Sequence, residues 1–200
     1  QGFGCAFIPF SKAVVAVTGD QDGLWTAHFI RYGRPVGQSG LQEDAEWLGL
    51  LDQNGCLISR AEWSRLFPDQ PVLVTEQAPS CVSAAAGQVA EYFAGRRTAF
   101  DVPLHLEQGS PFQQQVWLAL GQIPFGVTWT YEALAAAIGG QEPAMARRMS
   151  RAVGSACGAN PLPLILPCHR VIGKNGHLVG FSGGLDLKEF LLAHEIMGLD

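Results

Sequence analysis

The chain has 200 residues, is 48% hydrophobic and carries a formal net charge of −5 at pH 7. That is enough apolar material for one large core or two smaller ones, and neither a solvated tail nor a low-complexity segment dominates it. The first ten residues lack the basic and long apolar regions of a signal peptide, and no uninterrupted apolar stretch is long enough to span a bilayer, so a soluble intracellular protein is expected.

The five cysteines, Cys5, Cys56, Cys81, Cys157 and Cys168, are odd in number and contain no Cys-x-x-Cys pair. This argues against a disulfide framework and a zinc ribbon. The charge is unevenly spread. Residues 1–108 hold seven basic against twelve acidic side chains, residues 109–185 five against two, and the last fifteen one against four. A locally basic segment on an acidic chain can bind a polyanion, because phosphate contacts respond to charge within about 10 Å.

Residues 1–108 read as an α/β domain. Apolar, β-branched runs at 13–18 and 24–30, joined through Asp22-Gly23, predict a hairpin. Helical patterns follow at 43–51 and 82–93, the second ended by Gly95, and residues 100–106 read as extended. Arg96-Arg97 is expected to be a charge pair at the helix end.

Residues 109–200 read as a mainly α domain. Ser110 and Pro111 form a helix start, and Thr130 caps a short helix with Tyr131, Leu134, Ala135 and Ile138 on one face, stopped by Gly139-Gly140. Pro143 opens another helix, with Met145, Met149, Ala152 and Ala156 predicted to pack and Arg147, Arg151, Gly154 and Ser155 to face outward. Two short helices of this kind read either as a helix-turn-helix or as a helical hairpin with a solvated charged face. Small bulk at Ala152, Gly154 and Ser155 favours the first, since a nucleic-acid backbone can approach closely while Arg151 protrudes.

The run Asn160-Pro-Leu-Pro-Leu-Ile-Leu-Pro-Cys-His-Arg-Val171 nominates Cys168 as a nucleophile. Its prolines are expected to hold the run extended, His169 to accept the thiol proton directly or through water, and Arg170 to favour thiolate. Adjacent residues of an extended segment point to opposite sides, so this needs a turn at Cys168 or a bridging water. Asn175-Gly176 then signals a turn, and the small-residue loop at 180–185 favours close approach of a flat ligand. The final helix is expected to start at a capping Asp186, pack Leu187, Phe190, Leu191 and His194, and carry Glu195 on the flank of that stripe, where a carboxylate requires a partner.

The ordered series Phe112-Gln-Gln-Gln-Val-Trp117, Thr130-Tyr131, Arg151-Ala-Val-Gly154, Asn160-Pro161, Pro167-Cys-His-Arg-Val171, Ser182-Gly-Gly-Leu185 and Leu191-Leu-Ala-His-Glu195 resembles the O6-alkylguanine-DNA alkyltransferase family. The first half resembles it only loosely, as a variable ribonuclease H-like α/β domain. The resemblance implies a suicide repair protein that takes the alkyl group of O6-methylguanine, and to a lesser extent O4-methylthymine, from double-stranded DNA. It makes Cys168 the alkyl acceptor, His169 its base, Glu195 the carboxylate orienting the imidazole, Asn160 the residue ordering the turn, Tyr131 the proton donor to guanine, and Lys188 a polarising group. It places Arg151 as an arginine finger filling the gap left by an extruded base, with Thr130, Arg147, Ala152, Gly154 and Ser155 on the DNA face. Pro163, Val171, Gly180, Phe181 and Ser182 become pocket walls.

Two features depart from the family: Phe181 stands where tyrosine is usual, and the connection from Gly139 to Ser150 is longer, with extra Arg147 and Arg148. No cofactor and no metal are expected, since Cys5 and His28 do not complete a zinc ligand set. A monomer is expected without DNA. Three rival readings are a lesion sensor that does not transfer the alkyl group, which would carry tryptophan at the acceptor position; a cysteine hydrolase, which leaves the arginine-bearing helix unexplained; and a DNA-binding transcriptional module with a structural Cys168.

Overall fold

The computed structural model describes residues 3–37, 39–68, 72–139 and 142–197. Gly140, half of the expected helix stop, lies outside them. The chain divides into two compact units, the first running to His105 and the second beginning at Leu106. A mixed α/β first half and a mainly helical second half is the architecture the sequence implied.

In the first unit, strands β1 (Gly4–Pro9), β2 (Val14–Gly19), β3 (Leu24–Ile30) and β4 (Leu73–Val74) form one sheet in the order β3-β2-β1-β4, each neighbour antiparallel. The expected hairpin is β2–β3. The Asp20 carboxylate closes it by accepting from the N–H groups of Asp22 and Gly23, the local turn chemistry that favours aspartate there. The sequence reading missed β1, an inner strand whose apolar residues are nearly all buried. A short run bounded by glycine and proline carries no period-two signal when both of its faces are covered.

Three helices, α1 (Ser39–Trp47), α2 (Arg60–Leu66) and α3 (Ser80–Phe93), complete the unit. Helix α1 lies about one turn earlier than the pattern at 43–51 predicted. Gly49, at φ +71°, ends it and sends Leu50 into the core. After α3, Gly95 is left-handed, its N–H donates to Tyr92 O, and Arg96 N–H donates to Glu91 O, the paired bonds of a glycine C-cap. Arg97 turns back to Glu91 at 2.7 Å, a helix-end ion pair as expected. Among the described residues no three His, Cys, Asp or Glu side chains converge to hold a metal, and no helix is long and apolar enough to cross a membrane.

The second unit contains α4 (Pro111–Leu120), α5 (Tyr131–Ala137), α6 (Pro143–Gly158) and α7 (Leu185–Met197). Ser110 and Gln113 form a full capping box on α4, and Thr130 Oγ1 accepts from Ala133 N–H to cap α5. Helix α6 packs against both α4 and α5, and the Trp117 indole N–H of α4 donates to Ala156 O.

The buried side of α6 is Ala146, Val153, Ala156 and Cys157. Met145 and Ala152, predicted to pack, are exposed. The stripe is rotated by about one residue: Ala146 and Val153 are buried in place of Met145 and Ala152 on a helix packed between α4 and α5. Ala152 therefore shares an open face with Arg148, Arg151 and Ser155. The start of α7 also differs from expectation: Asp186 lies inside the first turn, because Gly184, at φ +94°, already ends the preceding loop and its carbonyl accepts from Lys188 N–H.

Gly183 precedes that start with no room for a side chain. A Cβ built on it would lie 2.7 Å from Leu187 Cδ2 and 2.9 Å from the Phe181 ring. Gly183→Ala is expected to lower stability by about 1–3 kcal/mol, the usual cost of overpacking. A drop in melting temperature checks this.

Candidate active site and nucleic-acid face

The run from Asn160 to Arg170 is folded rather than extended. Leu164, buried and at φ +78°, reverses the chain so that Pro163 bridges to Leu166 and Leu166 N–H donates to Leu162 O. A leucine in the left-handed region is strained by about 1–2 kcal/mol. Asn160 offsets this: its Nδ2 donates to Leu166 O at 2.8 Å and its Oδ1 accepts from Leu162 N–H at 3.0 Å. The prolines limit the conformations available, but asparagine holds the turn. Asn160→Ala should cost about 1–3 kcal/mol, since it removes both bonds and leaves the Leu162 amide unpaired, while Leu166 O keeps the Cys168 N–H; chemical denaturation measures the loss.

The reversal leads into a 3-10 turn over Cys168–Arg170, which meets the sequence requirement for a turn at the thiol. From there β6 (Val171–Ile172) pairs in parallel with β5 (Trp129–Thr130), Trp129 opposite Val171 and Thr130 opposite Ile172. This two-residue ladder ties the start of α5, where Tyr131 stands, to the end of the Cys-His-Arg turn. Two-residue pairs leave no periodic signal in a sequence.

Cys168 is 7% exposed and His169 is fully buried. The His169 Nε2 lies 2.7 Å from Glu195 Oε1, while its Nδ1 has no hydrogen-bond partner. Burial pushes the Glu195 carboxyl up, but hydrogen bonds and charge from His169 and Arg170 outweigh burial and hold it at about 2. Glu195 is therefore ionised and accepts, Nε2 carries the proton, and Nδ1 is left with a free lone pair. Burial also lowers the His169 pKa against the pull of Glu195, so the imidazole is neutral at physiological pH. A neutral ring with Nδ1 open is a base.

Two expectations are corrected here. The thiol does not rest as a thiolate: burial raises the Cys168 pKa above its ordinary value, partly countered by a hydrogen bond from Asn160 and by the charge of Lys188. Nor does Arg170 serve the sulfur. Its guanidinium reaches both oxygens of Glu195 at 2.9–3.0 Å and donates to Ile123 O at 2.6 Å. Gly126 N–H adds a further bond to Glu195 Oε2 at 2.9 Å. The partner that Glu195 required is thus double, His169 and Arg170. The second was legible as a charged residue inside an apolar run, which also demands a counter-charge.

Lys188 is fully buried, and its ammonium donates to the carbonyls of Val171 at 2.5 Å, Val179 at 2.8 Å and Gly180 at 3.4 Å. It joins the strand after the catalytic turn to the loop that carries Gly180, Phe181 and Ser182. Phe181 sits edge-on to His169, with ring centroids 6.5 Å apart. Pro163 and Val171 are buried, whereas Gly180 and Ser182 are exposed. The Tyr131 hydroxyl donates to Val179 O at 3.3 Å, and burial pushes its pKa up to about 12, so it stays protonated. Cys157, which the sequence reading left without a role, lies close enough to this group to feel the charge of Lys188.

An open cavity of about 570 Å³ lies in front of Tyr131, lined by Thr130, Tyr131, Glu132, Arg147, Ser150, Arg151, Gly154 and Lys174. Gly154 faces the Tyr131 ring, which a Cβ there would meet at an ordinary contact distance of 3.7 Å. Arg147 and Arg151 are both exposed, and Arg147 makes only a loose ion pair with Glu132 at 3.8 Å. The structure thus gathers Cys168, His169, Glu195, Asn160 and Lys188 into one buried group, and gathers Thr130, Tyr131, Arg147, Arg151 and Gly154 around one open face. Ala152 and Ser155 lie on the exposed side of α6, beside Arg151.

The family profile described as "6-O-methylguanine DNA methyltransferase, DNA binding domain" matches residues 111–197. A methylated-DNA–protein-cysteine methyltransferase of Mycolicibacterium paratuberculosis is 48% identical over 117 residues, 58% of this chain and 67% of that protein. One from Methanosarcina acetivorans is 50% identical over 111 residues, covering 56% and 67%. The crystal structure of Mycobacterium tuberculosis OGT in complex with DNA superposes with a TM-score of 0.64 at 33% identity, over 94% of this chain and 90% of that one. The chain belongs to the methylated-DNA–protein-cysteine methyltransferase family, DNA-repair enzymes that move an alkyl group from damaged DNA onto a cysteine of their own and are consumed in doing so.

Proposed function

We propose that the chain repairs O6-methylguanine in duplex DNA, and O4-methylthymine less efficiently, by one irreversible transfer to Cys168. The observation that carries this reading is the buried Nδ1 of His169, in the residue next to Cys168 and without a protein hydrogen-bond partner, with Nε2 held by an ionised Glu195. The thiol proton passes to Nδ1 through a bridging water, the sulfur attacks the methyl carbon, and the bond between that carbon and O6 breaks with its electrons going to the guanine. Tyr131, still protonated, supplies a proton to the departing base, and His169 returns one to the tyrosine. The product thioether has no good leaving group, so there is no second turnover.

A stacked base cannot reach a cysteine that is 7% exposed, so the nucleotide must be extruded. Arg151, on the open face of α6, is suited to fill the gap, and the small residues beside it suit a minor-groove approach with little base readout. Phe181 supplies an aromatic wall without the hydroxyl of tyrosine.

The reading is tested by titrating the protein against a duplex containing one O6-methylguanine. Stoichiometric loss of the lesion, one per protein molecule with no further loss, is expected; catalytic turnover or no loss contradicts it. Arg151→Ala should slow transfer from duplex by about ten-fold or more, since refilling an unstacked step is worth a few kcal/mol. Single-turnover kinetics report this rate.

A further inference from the structure

The cavity in front of Tyr131 carries charge that alkyl transfer alone does not explain. Three cations, Arg147, Arg151 and Lys174, surround it with one carboxylate, Glu132, on a chain whose net charge is −5. Lys174 comes from outside the helix pair. It stands at the head of a short 3-10 turn, Lys174–Gly176, in which Asn175 and Gly176 both have positive φ, +68° and +79°. That turn follows β6 directly, so the ladder that fixes Tyr131 beside the catalytic turn also fixes where Lys174 emerges. Glu132 follows Tyr131 in α5 and reaches only Arg147, at 3.8 Å.

We infer that Lys174 and Arg147 form a phosphate clamp across this cavity, gripping the backbone beside the extruded nucleotide, and that Glu132 is its internal counter-ion. In free protein Glu132 partly neutralises Arg147 and weakens non-specific attraction. On the DNA, a phosphate competes with Glu132 for Arg147 and takes Lys174 unopposed. A phosphate suits this place on three grounds: the cations converge from two elements, the cavity is open, and its net charge is positive. This inference rests on the proposed DNA-repair function and adds to it a role for Lys174 and Glu132.

The test is the salt dependence of duplex binding, measured by fluorescence anisotropy for wild type, Lys174→Ala, Lys174→Arg and Glu132→Gln, with thermal melts confirming folding. Each phosphate contact contributes about 0.9 to the slope of log K against log salt. Lys174→Ala should lower the slope by about one, so that its affinity deficit shrinks roughly three-fold between 50 and 200 mM salt. Lys174→Arg should restore the slope, and Glu132→Gln should tighten binding and steepen it. An unchanged slope in Lys174→Ala, or weaker binding in Glu132→Gln, overturns the clamp. Wild type that binds no duplex at any salt overturns the functional reading as well, which separates the two failures.

Discussion

Cys168→Ala is expected to abolish alkyl transfer, by at least about four orders of magnitude, while duplex binding persists. The size of the effect follows from the absence of a substitute. Burial pushes the Cys157 thiol to about 12 and raises those of Cys5 and Cys81, so none of these three supplies thiolate, and Cys56 belongs to the first unit, where its sulfur faces the Asn54 carbonyl. Cys168 alone has both Asn160 and Lys188 acting on its sulfur, and the imidazole of the next residue, His169, keeps Nδ1 without a protein partner. Binding persists because the cations of the open face lie on α6 and on the Lys174 turn, and alanine at 168 leaves the backbone turn intact. Gel shift for binding, and transfer of a labelled methyl group for activity, separate the two effects.

Glu195→Gln is the second large effect, and it strikes stability and chemistry together. The carboxylate holds His169, both sides of the Arg170 guanidinium and Gly126 N–H in one buried node. Glutamine keeps the shape but strands the arginine charge, and breaking a buried pair in this way costs about 3–5 kcal/mol. Transfer should fall about 100-fold or more, because nothing then fixes the proton on Nε2 and leaves Nδ1 free. Removing Arg170 as well should recover part of the stability, since a double change strands no charge. Urea denaturation of the single and double variants reads this coupling.

The same node sets the response to acid. The Glu195 pKa is depressed from 4.5 to about 2 in the fold, so its contribution, about 3 kcal/mol, is fully present above pH 4.5 and lost as pH falls toward 2. His169 works in the same direction: its folded pKa lies below 6.5, so the fold opposes protonation and loses stability progressively below pH 6.5. Catalysis follows another rule. The base is competent while His169 is neutral, so single-turnover transfer should stay level as pH is lowered through 6.5, where an ordinary imidazole would already be half protonated.

Much of this site was legible in the sequence because it is local. The caps at Ser110 and Thr130, proline at the starts of α4 and α6, and the Cys-His-Arg turn each depend on neighbours within a few residues. What the sequence hid depends on distant partners. The Arg170–Glu195 pair joins residues 25 apart, the β5–β6 ladder joins residues 42 apart, and the true buried side of α6 is set by α4 and α5. The resting state of the thiol was hidden for the same reason, since burial raises its pKa and burial is a property of the whole fold. Strand β1 escaped because its residues are covered on both faces, which removes the alternation that marks a strand.

The central claim is that Cys168, and no other residue, receives the alkyl group. It is tested most directly by digesting the protein after reaction with a duplex carrying one O6-methylguanine and sequencing the peptides by mass spectrometry. One methyl group on Cys168, in proportion to lesion removed, is the predicted result. Methyl on another residue, or lesion removed while the Cys168 peptide remains unmodified, would contradict it.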